Sequence, residues 1–130
     1  MTITRIDFDG GGEELVFLHA NGYPPDCYRP FLSRLSENYH VTALVQRPLW
    51  PGSRPDDTDD WRPLTDDFLR FLDGQHTQPL VCVGHSMGGI VLLRAALREP
   101  ERFKAIALLD PVLFPPYFIA FWNLMRSLKL

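Results

Sequence analysis

The chain has 130 residues, 45% of them apolar and 22% charged, with a formal net charge of −3. That length suits one domain with a single core, since domains commonly run to ~100–150 residues. The balance is that of an ordinary globular protein and excludes the basic footprint of a nucleic-acid binder.

Met1 to Asp9 alternates polar and apolar residues and carries Arg5 and Asp7, so it lacks the apolar core of a secretory signal and a cytoplasmic location is expected. Within it, Ile3 to Phe8 reads as a strand, and Glu14 to His19 as a second. Tyr28 to Glu37 places Phe31, Leu32 and Leu35 on one helical face. His40 to Gln46 is again strand-like, and Arg47 to Pro55, with Pro48, Pro51, Gly52 and Pro55, has the chemistry of an exposed loop. Leu64 to Leu72 gathers Leu64, Phe68, Leu69, Phe71 and Leu72 on a helical face, with Asp59 and Asp60 as caps and Pro63 in the first turn. Leu80 to Gly84 is a strand and Gly88 to Arg98 a nearly all-buried helix that ends at Glu99-Pro100, because the residue before proline leaves helical geometry. Lys104 to Leu109 is the fifth strand, and the last four strands are apolar enough to be buried on both faces. This alternation defines an α/β chain: a mostly parallel sheet with crossover helices on both faces.

The most informative run is Leu80-Val81-Cys82-Val83-Gly84-His85-Ser86-Met87-Gly88-Gly89, in which G-x-S-x-G joins an apolar strand to an apolar helix. In that setting the serine occupies a tight, strained turn that projects its hydroxyl from the carboxyl end of the strand, and the glycines remove side chains that would collide. At the helix start the N–H of Met87 faces the reacting centre and is suited to hold an oxyanion. The competing reading, that the glycines only let strand and helix pack closely as in a nucleotide-binding turn, lacks a G-x-G-x-x-G or Walker pattern. A serine rather than an aspartate at this position favours acyl chemistry on esters, thioesters or amides.

A second run, Leu15-Val16-Phe17-Leu18-His19-Ala20-Asn21-Gly22-Tyr23-Pro24-Pro25, takes an apolar strand into a polar turn. With the serine elbow, and a strand ending Leu108-Leu109-Asp110-Pro111, it makes the chain resemble the α/β-hydrolase family over almost its whole length. The resemblance implies an amino-terminal part of that core over 1–111, with 112–130 beginning a lid. It further implies Ser86 as nucleophile and the backbone N–H groups of Met87 and Asn21 as oxyanion donors. Ala20 or Gly22 replaces Asn21 if the register slips, because this chain has Ala20 where the family's His-Gly-type loop has glycine. His19 would order the loop.

The family takes its activating histidine from a loop after the last strand, and none of His19, His40, His76 and His85 follows the elbow. Structural roles are expected for all four. Asp110 stands where some relatives place the triad acid, others placing it one strand later, and an Asp before Pro also caps turns. Asp56, Asp57, Asp59 and Asp60 read as solvated, Cys27 and Cys82 as reduced structural thiols, and neither metal nor cofactor is expected.

The tail, Pro115 to Leu130, carries Tyr117, Phe118, Ile119, Phe121, Trp122, Leu124, Met125 and Leu128. Its apolar run, from Val112 to Met125 and broken by Pro115 and Pro116, falls short of the ~20 residues of helix that span a bilayer. As a lid it implies an apolar, small-molecule acyl substrate; as an uncovered face it invites self-association. The activity expected of the complete protein is that of a serine hydrolase, and the rival is a binding module of the same fold without acid-base machinery.

Overall fold

The computed structural model describes residues 4–58, 60–75 and 78–129. Five strands form one sheet in the order β1-β3-β2-β4-β5: β1 (Arg5–Asp7), β2 (Glu13–Leu18), β3 (Tyr39–Leu44), β4 (Leu80–His85) and β5 (Phe103–Leu109). Only β1 is antiparallel, against β3; all other neighbours run parallel. Parallel neighbours need crossovers, and these are α1 (Arg29–Leu35), α2 (Arg62–Gln75) and α3 (Met87–Arg98). A last helix, α4 (Pro116–Ser127), follows β5.

The apolar sets sort onto the two faces as strand alternation demands. On one face Val16, Leu18, Leu44 and Cys82 meet Leu64, Phe68 and Leu72 of α2 and Val91, Leu92 and Ala95 of α3. On the other, Leu15, Phe17, Val41, Ala43 and Val83 close on Leu32 of α1. Asp60 acts at the start of α2 as expected, its Oδ1 accepting the Arg62 N–H at 3.0 Å, while Asp59 lies outside the described residues.

Two expectations are corrected. β5 is not buried on both faces: Lys104, Ala105, Ala107 and Leu109 are exposed, because β5 is the sheet's edge and α1, the helix on that face, packs at the other side of the sheet against β3. The stretch after β3 is less open than its prolines suggest. It folds into 3-10 turns at Arg47–Leu49 and Pro55–Thr58, and the Arg47 guanidinium grips buried Asp67 of α2 with two bonds of 2.8 Å.

Sheet order fixes where a site can form. From β2 the chain winds outward to β3, then returns across β2 to β4 and on to β5. The reversal falls between β2 and β4, so the loops leaving their carboxyl ends diverge around a crevice, the usual ligand position in open α/β sheets.

Candidate active site

Ser86 caps α3 with φ 52° and ψ −114°, outside the regions that side chains ordinarily occupy. Such angles cost ~1–3 kcal/mol and persist only where the surroundings over-determine them. Here the Ser86 N–H donates to Leu109 O at 3.0 Å, and Ser86 O accepts the N–H groups of Gly89 at 3.0 Å, Ile90 at 3.2 Å and Val112 at 3.3 Å. The elbow is thus held by its own helix and by the neighbouring strand with the segment after it.

The glycines around it serve close approach. A Cβ on Gly84 would lie 2.5 Å from Gly88 O, one on Gly88 2.2 Å from Leu18 O and 2.7 Å from His19 O, and one on Gly89 3.0 Å from the Pro111 Cβ. Gly88 is therefore the contact by which α3 seats against the loop after β2. Leu18 pairs with Gly84, so that loop and the elbow leave adjacent strands side by side.

The loop after β2 turns between Ala20 and Tyr23, with Tyr23 N–H on Ala20 O at 3.3 Å and Gly22 at φ 76° in the third position of the turn, where positive φ favours glycine. His19 is fully buried and clamps it. Its Nε2 accepts the Gln46 N–H at 3.0 Å, so Nδ1 carries the proton and donates it to Ala20 O at 2.7 Å. Gln46 returns its side-chain amide to His19 O at 2.6 Å. Burial holds the His19 pKa below its ordinary value, which keeps the ring neutral. The Ala20 N–H is taken by the Tyr28 hydroxyl at 3.0 Å. That removes Ala20 from the candidate oxyanion donors, whereas the N–H groups of Asn21, Gly22 and Met87 take no partner among the described residues. The last of these is an orphan of the first helical turn.

The other two histidines among the described residues are occupied. His85 gives or takes a 2.7 Å bond with the Tyr28 hydroxyl, and His40 pairs with Asp7 at 2.9 Å at the opposite, amino end of the parallel strands. His76 lies outside the described residues. Asp110, exposed and at φ 45°, takes no hydrogen bond or ion pair among the described residues. Cys82 is buried, and burial pushes its thiol up to about 12, so it is no rival nucleophile. Among the described residues, no group of three His, Cys, Asp or Glu could hold a metal ion.

Next to the elbow a cavity of about 460 Å³ opens between α3 and the tail, lined by Trp61, Ile90, Val112, Phe114, Ile119 and Trp122 together with Asp60, Arg94 and Leu113. On the other side of the Asn21 loop a more polar cavity of about 430 Å³ is lined by Asn21, Ser53, Arg54 and Thr58, with Pro48 and Pro55. Tyr28 and Gln46 were not legible as site residues in the sequence. Their partners are far away along the chain, 57 positions from Tyr28 to His85 and 27 from Gln46 to His19, and no local pattern marks such pairs.

A strained serine elbow beside a polar loop, at the switch point of a parallel sheet, defines an α/β enzyme of the elbow type. The model of the alpha/beta hydrolase family matches residues 15–129, and the chain belongs to that family. It is 34% identical over 102 residues to a pimeloyl-[acyl-carrier protein] methyl ester esterase of Shewanella woodyi, covering 78% of this chain and 37% of that protein. To an epoxide hydrolase of Caballeronia sordidicola it is 33% identical over 107 residues, covering 78% of this chain and 32% of the relative. A solved membrane phospholipase A superposes with a TM-score of 0.75 at 25% identity, over 86% of this chain and 37% of that one. The chain thus spans about a third of these relatives' length. No helix among its described residues is long and apolar enough to cross a membrane.

Proposed function

We propose that the protein is a serine hydrolase whose Ser86 hydroxyl attacks an ester, thioester or amide carbonyl of a small, apolar acyl substrate. The observation that carries this is the backbone of Ser86: strain at φ 52°, ψ −114°, maintained by four hydrogen bonds, sets a serine at the start of a helix and the end of a strand, the setting of a nucleophile elbow. Of the activities among its relatives, the esterase fits better than the epoxide hydrolase. A carboxylate nucleophile opens an epoxide at carbon, whereas a serine hydroxyl is suited to a carbonyl.

In this reading the carbonyl oxygen gains negative charge as Ser86 Oγ adds to the carbon, and the N–H groups of Met87 and Asn21 receive it. The tetrahedral adduct collapses, the leaving group departs with a proton, and water then releases the acyl group and restores the serine. No cofactor enters. The acyl or alkyl part would occupy the apolar cavity at Trp61, Ile90, Val112 and Trp122, and residues 112–130 begin a lid over it. Among the described residues His19, His40 and His85 are each engaged in other hydrogen bonds, and the family resemblance assigns the base that takes the Ser86 proton to a histidine in a loop after the last strand.

The test is a fluorophosphonate adduct located by mass spectrometry in the whole gene product. A mass increase on the peptide bearing Ser86, lost in Ser86→Ala, is expected. A folded whole protein that takes no adduct there would replace this reading with the binding module that keeps the elbow but has no base.

A further inference from the structure

His19 clamps the oxyanion loop from the β3 side, but a second clamp acts from the elbow itself. The Tyr28 hydroxyl lies 3.0 Å from the Ala20 amide nitrogen and 2.7 Å from Nδ1 of His85, the residue before the nucleophile. An amide N–H can only donate, so the phenol oxygen accepts from Ala20, and its own hydrogen is free to bond His85 Nδ1 in the tautomer that carries its proton on Nε2. The ring is fixed as well. It meets Phe17 edge-on with centroids 4.7 Å apart and His85 with centroids 5.7 Å apart, and it belongs to the core under α1. Partial burial raises the phenol's pKa, which keeps the hydroxyl protonated as this arrangement requires.

We propose that Tyr28 is a positioning residue of the oxyanion hole: its hydroxyl ties the Ala20 N–H to His85 and so holds the neighbouring Asn21 N–H in fixed register with Ser86 and Met87. The inference rests on the acyl-transfer reading for its purpose, though not for its geometry. Its logic is one of exclusion and attachment. Taking the Ala20 N–H out of play leaves the Asn21 and Gly22 amides as the free donors of the loop, Asn21 next to the tie, and anchoring to His85 means that the loop moves with the elbow. An oxyanion donor displaced by ~1 Å loses much of its value, so a tie between the two halves of the hole has a direct consequence for rate. His85 acts only through Tyr28 and needs no contact with substrate.

The experiment is amide hydrogen exchange of the chain followed residue by residue, with the Phe17 amide in the middle of β2 as internal reference, in the native chain and in Tyr28→Phe, His85→Ala and His85→Asn. Tyr28→Phe keeps the ring packing and deletes the hydroxyl. It is expected to speed exchange at Ala20 about ten-fold relative to Phe17, the equivalent of one ordinary hydrogen bond. His85→Ala, which touches neither Ala20 nor its hydrogen bond directly, is expected to produce a several-fold increase at the same amide. His85→Asn places an acceptor oxygen where Nδ1 stood and is expected to restore native protection. A structural role for His85 in mere packing would not be rescued by asparagine. Unchanged Ala20 protection in either Tyr28→Phe or His85→Ala overturns the proposal, as does a rise that Phe17 shares in full. The exchange readout is independent of catalysis. If Ser86 proves unreactive in the whole protein while Ala20 and His85 remain coupled, the acyl-transfer reading fails and the tie stands; reactivity with no coupling removes the tie alone.

Discussion

Ser86 holds backbone angles that a glycine would tolerate without strain, and this gives the position a stability signature separable from its proposed chemistry. Ser86→Gly is expected to gain about 1 kcal/mol, the ~1–3 of released strain less the ~0.5–1 that a glycine costs in chain entropy. Ser86→Ala keeps the Cβ and the strain and is expected to gain little, although both variants lose the hydroxyl. Denaturant midpoints of the two variants against the native chain check this, and equal stabilities would show that the elbow is relaxed. His19 gives a second prediction at this scale. Its pKa in the folded chain lies below the ordinary 6.5, because burial disfavours the charged ring. As pH falls through 6.5 the unfolded chain takes up a proton that the folded chain refuses, so stability falls. Above that pH the contribution is complete. Stability measured between about pH 5 and 8 should therefore rise with pH in the native chain, and the rise should flatten in His19→Gln.

At the scale of elements, α3 meets the loop after β2 through Gly88, whose missing Cβ would stand 2.2 Å from a backbone oxygen. Backbone cannot swing aside as a flexible side chain does. Gly88→Ala is expected to cost roughly 3 kcal/mol and to part the elbow from the oxyanion loop, read as a fall in thermal midpoint and a loss of Ser86 labelling. This contact also marks how far the sequence speaks. The five strands, their alternation with helices and the serine elbow were legible because each is written locally, as an apolar run bounded by turn residues or a motif at fixed spacing. The exposure of β5 was not, because Phe103–Leu109 is as apolar as a buried strand and its burial depends on which helix reaches it. The same limit applies to the loop after β3. Arg47 and Asp67 give no sign in sequence that they will meet, yet their paired bonds, with the guanidinium 5.4 Å over the Trp50 ring, fasten that loop to α2. At the candidate site, the turn at Ser86 and the polar loop at Asn21 are written in local motifs, while the contacts of Tyr28 and Gln46 belong to the tertiary structure alone.

At the scale of the molecule, the apolar surface left uncovered is large and contiguous along the tail. Tyr117 is 77% exposed, Trp122 58%, and Phe114, Phe121 and Leu124 each 55%, and β5 beside them has no neighbour on its outer edge. Apolar patches beyond a few hundred Å² are uncommon on stable monomers, and an unpaired strand edge adds a template for pairing. A net charge of −3 offers only weak repulsion against contact. The chain by itself is therefore expected to associate in a concentration-dependent way, measurable as a weight-average mass above 14.9 kDa by light scattering. Two variants separate the surfaces. Phe118→Glu combined with Trp122→Glu introduces charge on α4 without touching the sheet, and Ala107→Lys places a charge on the exposed face of β5. Loss of association in the first variant alone assigns it to the tail, and loss in the second alone to the strand edge. A native chain that stays at 14.9 kDa at every concentration would show that neither the exposed tail nor the edge of β5 drives association.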